Sequence, residues 1–206
     1  MRKLVLNLST LAVSIILISM ISGCSGKSPK TSNTDENSDK EQKFRFVEIP
    51  AEKRVEVWIG DDLFTSYMYP GNIAKPVLYP LTTSSGKVLT RAYPLDTIPG
   101  ERVDHPHHVG HWMNYGDVNG LDFWNNSEAI PVEKRDGYGT IFHKEVLKME
   151  GGEDSGVLEV ATEWKAPDGT VLLEEHTKFV FSEQGATRII DRTTTLKALD
   201  KERQRP

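Results

Sequence analysis

The sequence predicts an all-β fold, an antiparallel β-sandwich, behind an N-terminal segment that does not belong to the folded domain. Three observations predict it. Apolar and polar residues alternate in several runs, turn-forming Gly, Pro, Asp and Ser stretches separate those runs, and no stretch of helical periodicity occurs outside the N-terminal leader.

The leader comes first. Arg2 and Lys3 precede an uncharged apolar run over residues 11 to 21, which ends in "ISGC" at residues 21 to 24. A basic start, a short apolar middle and small residues before a cut are the layout of a secretory signal. The run is too short to span a bilayer, which takes about 20 apolar residues. Ser22 and Gly23 open the backbone to a peptidase, and Cys24, the only cysteine, is the expected lipid-attachment point. A secreted chain with a stray free thiol is the alternative. Residues 1 to 23 therefore read as a lipoprotein signal peptide, and residues 24 to 43, "CSGKSPKTSNTDENSDKEQK", as the lipidated cysteine and a disordered tether. After Cys24 this stretch carries no aliphatic or aromatic side chain and cannot bury enough apolar surface to offset its ordering entropy. The expected location is the bacterial cell envelope. Ser25 is compatible with an outer-membrane anchor, and the domain would face the periplasm or the surface.

Residues 44 to 206 are expected to form the sandwich. "RVEVWIG" sets Val55, Val57 and Ile59 against Arg54, Glu56 and Trp58, and "GDD" turns the chain into "LFTSYMY", a hairpin. "KPVLYPLTTSSGKVLTRAYP" suggests a second around "SSGK", with Pro76 and Pro80 marking an edge. "GVLEVATEWKAPDGTVLLEEHTKFVFS" suggests a third turning at "APDG", and "ATRIIDRTTTLKAL" reads as one more strand. That strand has nothing after it to pair with, so a truncated domain is expected; a complete domain with an edge strand is the alternative.

Four of the six histidines lie in "DHPHHVGHW", residues 104 to 112. Imidazole is the commonest metal ligand and titrates near neutral pH. Three uses stay open: a divalent transition-metal site built on His105 and His107, acid/base or substrate hydrogen bonding by His107 and His108, and a purely structural role. On an extended chain His105 and His107 point one way and His108 the other, so the four rings cannot all converge unless the loop bends, and two or three is the expected limit. Asp104 is placed to orient one ring by accepting its N–H. The spacing matches no zinc signature.

Trp112, Tyr115, Phe123 and Trp124 follow closely, with Asn114, Asp117, Asn119, Asp122, Asn125 and Asn126 between them. Aromatic faces beside amides and carboxylates suit a sugar, so Asp104, His105, Trp112, Asn114 and Trp124 are candidate substrate-binding residues. Core packing and turn formation account for the same residue types. In "VLLEEHTKFVF", alternation puts Val171, Leu173, Glu175, Thr177, Phe179 and Phe181 on one face, and Glu175 is the carboxylate on it. Burial would suit Glu175 to a general-base role, whereas a salt bridge to Arg188 or Arg192 would make it structural.

"KPVLYPLTTSSGKVLTRAYP", "DHPHHVGHWMNYGDVNGLDFW", "WKAPDGTVLLEE" and "RIIDRTTTLKA", in this order, resemble the PmoA-like family of bacterial secreted proteins from about residue 76 to residue 198. The resemblance implies a β-supersandwich similar to galactose mutarotases, with the histidine motif and the inward glutamate beside a concave face. It departs at Val109 and His111, where the family more often has a basic residue and leucine, so His111 carries less weight. Members also continue beyond the equivalent of Pro206. The methane-oxygenase part of the family's label is not carried over, because nothing after the leader has the apolar length of a membrane subunit.

The net charge of −5, with no basic cluster, argues against a nucleic-acid partner and against electrostatic membrane binding; the lipid anchor would be the only membrane contact. The leading expectation is a lipid-anchored domain that binds or processes carbohydrate through His107, His108 and Glu175. A non-catalytic carbohydrate-binding or scaffold lipoprotein and a metal-dependent enzyme using His105 and His107 are the alternatives.

Overall fold

The computed structural model describes residues 42–199. The expected signal peptide, Cys24 and nearly all of the tether fall outside them. At the tether's end, Lys43 already belongs to the folded body: its carbonyl accepts from Gly60 N at 2.7 Å and its Nζ lies 2.7 Å from Glu183 Oε2.

Eight strands form two antiparallel four-stranded sheets. The first, in the order β1-β2-β3-β4, contains β1 Phe44–Ile49, β2 Arg54–Ile59, β3 Asp62–Met68 and β4 Val77–Leu78. The second, β5-β6-β7-β8, contains β5 Thr140–Glu150, β6 Ser155–Lys165, β7 Val171–Gln184 and β8 Thr187–Ala198. The only helices among the described residues are two short 3-10 turns, Pro50–Glu52 and Val132–Gly137. The all-β sandwich expected from the alternation is what the chain forms.

In β2, Val55, Val57 and Ile59 are buried and their neighbours are not. They meet Phe44, Phe64, Tyr67 and Leu78 of their own sheet and Leu158, Val160, Phe179 and Phe181 of the other, which makes the core between the sheets. A second cluster, Phe123, Ile141, Trp164 and Leu172, packs the long β4–β5 connection against the end of the second sheet. Two hydrogen bonds between Phe44 and Gly152, 2.8 and 3.1 Å, join the sheets at a corner. Arg188 Nη1 joins them at the other side, at 2.8 Å from Thr82 Oγ1 and 3.0 Å from Thr83 O.

Three features depart from the sequence reading. The segment around "SSGK" makes one isolated bridge, Thr82 with Val88, rather than a hairpin of two strands. Pro76 and Pro80 flank the two-residue β4, which is indeed the edge of its sheet. Strand β5 has no counterpart in the hairpins read from the sequence. It is an edge strand with two register shifts and a run of Lys and Glu, so its side chains are mostly exposed and do not alternate. Finally, alternation along β7 breaks at its start. Trp164 pairs with Leu173 and Lys165 with Val171, so Leu172 is an extra residue that turns inward and is buried with Trp164.

Glu175 is buried, 4% exposed, inside the sandwich. Its carboxylate accepts from Trp164 Nε1 at 2.7 Å on β6, from Thr177 Oγ1 at 2.6 Å on β7, and from Arg192 Nη2 at 3.0 Å on β8. Thus Glu175 holds the Arg192 ion pair, the structural alternative, and it lines none of the pockets around the histidines; Arg188 pairs instead with Asp62, at 3.0 Å. Removing one partner of a buried pair leaves an uncompensated charge, whereas removing both does not. Glu175→Ala is therefore expected to cost about 3–5 kcal/mol. The double variant Glu175→Leu/Arg192→Leu should recover most of that loss, as read from urea midpoints.

Candidate functional site

Between β4 and β5 the chain runs from residue 79 to residue 139 with only isolated bridges and one 3-10 turn. A connection this long within a compact domain is usually either functional or unfolded, and here side chains tie it down. Glu101 accepts the backbone N–H groups of Ala92 and Tyr93 at 2.8 to 3.1 Å. Arg91 donates to the carbonyls of Arg102 and Asp104. Asp122 accepts from the backbone of Trp124 and Asn125 and from the Asn125 side chain, at 2.7 to 3.0 Å.

The histidine motif is clipped to the free edge of β4. Leu78 N donates to His111 O at 2.8 Å and His111 N to Leu78 O at 2.9 Å. Gly110 makes this possible: its φ is +57°, and a Cβ there would lie 2.6 Å from the Leu78 carbonyl oxygen. Upstream the loop reverses. His105 has φ +50°, and His108 N donates to His105 O at 2.9 Å, so Pro106 and His107 occupy the centre of a β-turn.

With that reversal the loop bends, and three rings gather, within the expected limit of two or three. His105 and His108 stack with centroids 5.2 Å apart at 13°, His107 meets His108 edge-on at 4.2 Å, and His105 and His107 are 5.7 Å apart. His108 in turn lies parallel to Trp112 at 6.1 Å, and Trp112 meets Trp124 edge to face at 4.8 Å. Trp124 is 41% exposed. Asp104 Oδ2 is 3.1 Å from His105 Nδ1, the orienting contact expected of it. Desolvation, the largest single influence, would raise the Asp104 carboxyl, but the hydrogen bond to His105 and the charges of Arg102, His105 and Arg91 together hold it below the usual carboxylate range. Among the described residues, no three or more His, Cys, Asp or Glu side chains are grouped so as to hold a metal ion.

Two candidates are placed elsewhere. Asn114 is buried and its Nδ2 donates to Phe123 O at 2.9 Å, so it pins the loop rather than facing a ligand. Glu175 lies in the interior described above. One residue that the sequence reading missed is Lys75, 2% exposed, beneath the tryptophans. Its Nζ donates to Trp124 O at 3.0 Å and sits 4.4 Å from the Trp112 ring centroid. Burial pushes its pKa down to about 8, against the opposing pull of Asp122. The available signal was a lysine inside the apolar stretch "NIAKPVLYP", a place where the long side chain ordinarily reaches out to water.

Lys75 borders two pockets. The smaller, about 280 Å³, is also lined by Tyr93, His107, Asn126, Ser127 and Glu128. The larger, about 560 Å³, takes in Lys53, Tyr69, Asn126, Arg135, Tyr138 and His143. Residues 72–75 and 126–128 line both. His143 was also missed, since it lies on the unrecognised β5. Its Nδ1 is 3.2 Å from the Tyr67 hydroxyl, and its ring stacks on Tyr69 at 3.9 Å.

A scan against protein-family models matches residues 54–204 to DUF6807, described as a family of unknown function. The chain belongs to the DUF6807 family. No curated protein and no solved structure matches it. The DUF6807 description carries no activity, substrate or cofactor, and the comparisons take the resemblance to PmoA-like proteins no further. In this DUF6807 chain, what the site can do follows from its own chemistry. Desolvation first, then the neighbouring His108, Lys75 and His105, lowers the His107 pKa; desolvation, then His105, Lys75 and Arg91, does the same to His108. Both rings are therefore neutral at pH 7, each with one donor and one acceptor nitrogen.

Burial lowers His143 furthest, to about 4. The unfolded chain, with an ordinary histidine near 6.5, then binds the proton first as pH falls. Stability is full above about pH 6.5 and is lost as pH drops towards 4. Between pH 7 and 5 this histidine should cost about 1–2 kcal/mol, less than the fully buried limit because the ring is partly exposed. His143→Gln should flatten that part of the urea-midpoint profile; an unchanged slope would show that His143 is not its source.

Proposed function

We propose that this protein binds carbohydrate at the Trp112–Trp124 face and the adjoining histidine pocket. The observation that carries the reading is the edge-to-face tryptophan pair, with Trp124 open to solvent, set against neutral imidazoles. Sugar C–H faces stack on indoles, and sugar hydroxyls need groups that both donate and accept, which neutral histidine, serine and asparagine supply. Pocket volumes of about 280 and 560 Å³ suit small organic ligands.

In this reading His107 and Trp124 contact the ligand, His108 and His105 build the ring stack behind them, and Asp104 orients His105. Glu175 has no part in it, which favours binding over the glutamate-assisted processing the sequence suggested. The resemblance of residues 76 to 198 to PmoA-like proteins, and through them to mutarotase-like supersandwiches, points the same way. So does the leader: a lipid-anchored envelope protein, tethered through Cys24, meets extracellular or periplasmic glycans.

Titration of the protein with a panel of mono- and oligosaccharides, read by tryptophan fluorescence, tests the reading. At least one sugar should quench or shift the emission saturably. Trp124→Ala should weaken its binding by roughly 10-fold or more, in line with about 1–2 kcal/mol for an aromatic platform. His107→Ala/His108→Ala should abolish binding with the far-ultraviolet spectrum unchanged. Equal affinity in that double variant would sink the assignment.

A further inference from the structure

A lysine is almost never fully buried without a paired carboxylate, because an ammonium loses its hydration on entering the interior. Lys75 is such an exception. Among the described residues its Nζ has one hydrogen-bond partner, the Trp124 carbonyl, and one aromatic face, Trp112, with no carboxylate in ion-pair range. Asp122 is the acid whose field reaches it, yet both Asp122 oxygens are already taken by the Trp124 and Asn125 N–H groups and the Asn125 amide. The other charged groups and imidazoles lining these pockets are His107 on the smaller, Glu128 on both, and Lys53, Arg135 and His143 on the larger, with the phenols of Tyr93, Tyr69 and Tyr138. Two of these, Lys53 and Arg135, are cations that offer the amine no ion pair, and burial is what disfavours its charged form.

The position adds to this. Lys75 lies on the wall that both pockets share, so a ligand in either one reaches its neighbourhood, and Pro76 immediately follows it. The pyrrolidine ring restricts the backbone of the preceding residue to extended conformations, which fixes where the lysine stem starts. A desolvated amine held in place beside a pocket is the arrangement of a nucleophilic lysine.

We propose that Lys75 is a covalent centre, whose amine condenses with the aldehyde or ketone group of a bound ligand to form an imine. The nitrogen lone pair forms the C–N bond, both nitrogen protons end on the carbonyl oxygen, and that oxygen leaves as water. No oxidant or reductant is consumed. For the natural ligand this rests on the sugar reading above and narrows it to a reducing or keto sugar. The depressed basicity of Lys75 supports the step, because about a quarter of the amine is neutral at pH 7.5.

The test uses glycolaldehyde, which has no pyranose ring and so does not depend on sugar recognition. The purified protein is incubated with glycolaldehyde and sodium cyanoborohydride, which reduces any imine to a stable secondary amine, and peptide mass mapping follows alkylation at each lysine. At pH 7.5 Lys75 should be alkylated roughly 10-fold or more faster than the exposed Lys87, and its rate should rise with a midpoint near pH 8. Alkylation of Lys75 no faster than Lys87 overturns the proposal, and this comparison needs no variant that could misfold. Should sugars fail to affect tryptophan emission while Lys75 is still selectively alkylated, the sugar reading falls and the reactive amine stands.

Discussion

The fold turns on one buried carboxylate. Glu175 takes a hydrogen bond from each of three successive strands, through Trp164 on β6, Thr177 on β7 and Arg192 on β8. A charge in that position is tolerable only while every one of those donors stays in place. The requirement fixes the register of the second sheet to the residue, since a shift by one position would turn Glu175 to solvent and Thr177 with it. Arg192 completes the arrangement by lying over the Phe179 ring, 5.2 Å away, where its alkyl stem joins the apolar core. The first sheet then closes over this platform with Val55, Val57 and Tyr67.

The long connection is built by a different principle. It has almost no ladder of its own, so its backbone groups are satisfied one at a time by Arg91, Glu101, Asn114, Asp122, Asn126 and Arg135. A loop stabilised by side-chain bonds of this kind is defined in shape without being packed through, and that leaves room for the two pockets. The clip between Leu78 and His111 carries the histidine turn to the sheet edge, and Lys75, three residues before Leu78, arrives at the same place from the other side.

How much of this could be read in advance follows the physics of each segment. Strands β2, β6 and β7 bury one face, so alternation reports them directly. Strand β5 is an edge interrupted by bulges and rich in Lys and Glu, and a pattern that burial does not impose cannot be read. The inward placement of Glu175 was legible from alternation, and Arg192 was one of two arginines within reach of it; which residue pairs with it depends on strand register, which sequence does not display. The histidine cluster was plain as a composition. Which rings converge was not, because that depends on whether the loop bends, and the bend rests on a left-handed His105 and a turn through Pro106 and His107. Lys75 was hidden by the usual behaviour of its residue type.

Each sheet is a meander whose strands pair with their neighbours in sequence, and the two are interlocked by contacts between distant parts of the chain, Phe44 with Gly152 and Thr82 with Arg188. Loop-closure entropy delays contacts of that separation until local hairpins have formed. The hairpins β2–β3 and β6–β7 are thus expected to assemble early and independently, and docking of the sheets to set the folding rate. The pockets and the histidine turn hang on the connection that spans the docking step. They acquire their shape only when the sheets have met, so they are among the last parts of the molecule to exist and the first to be lost when it opens.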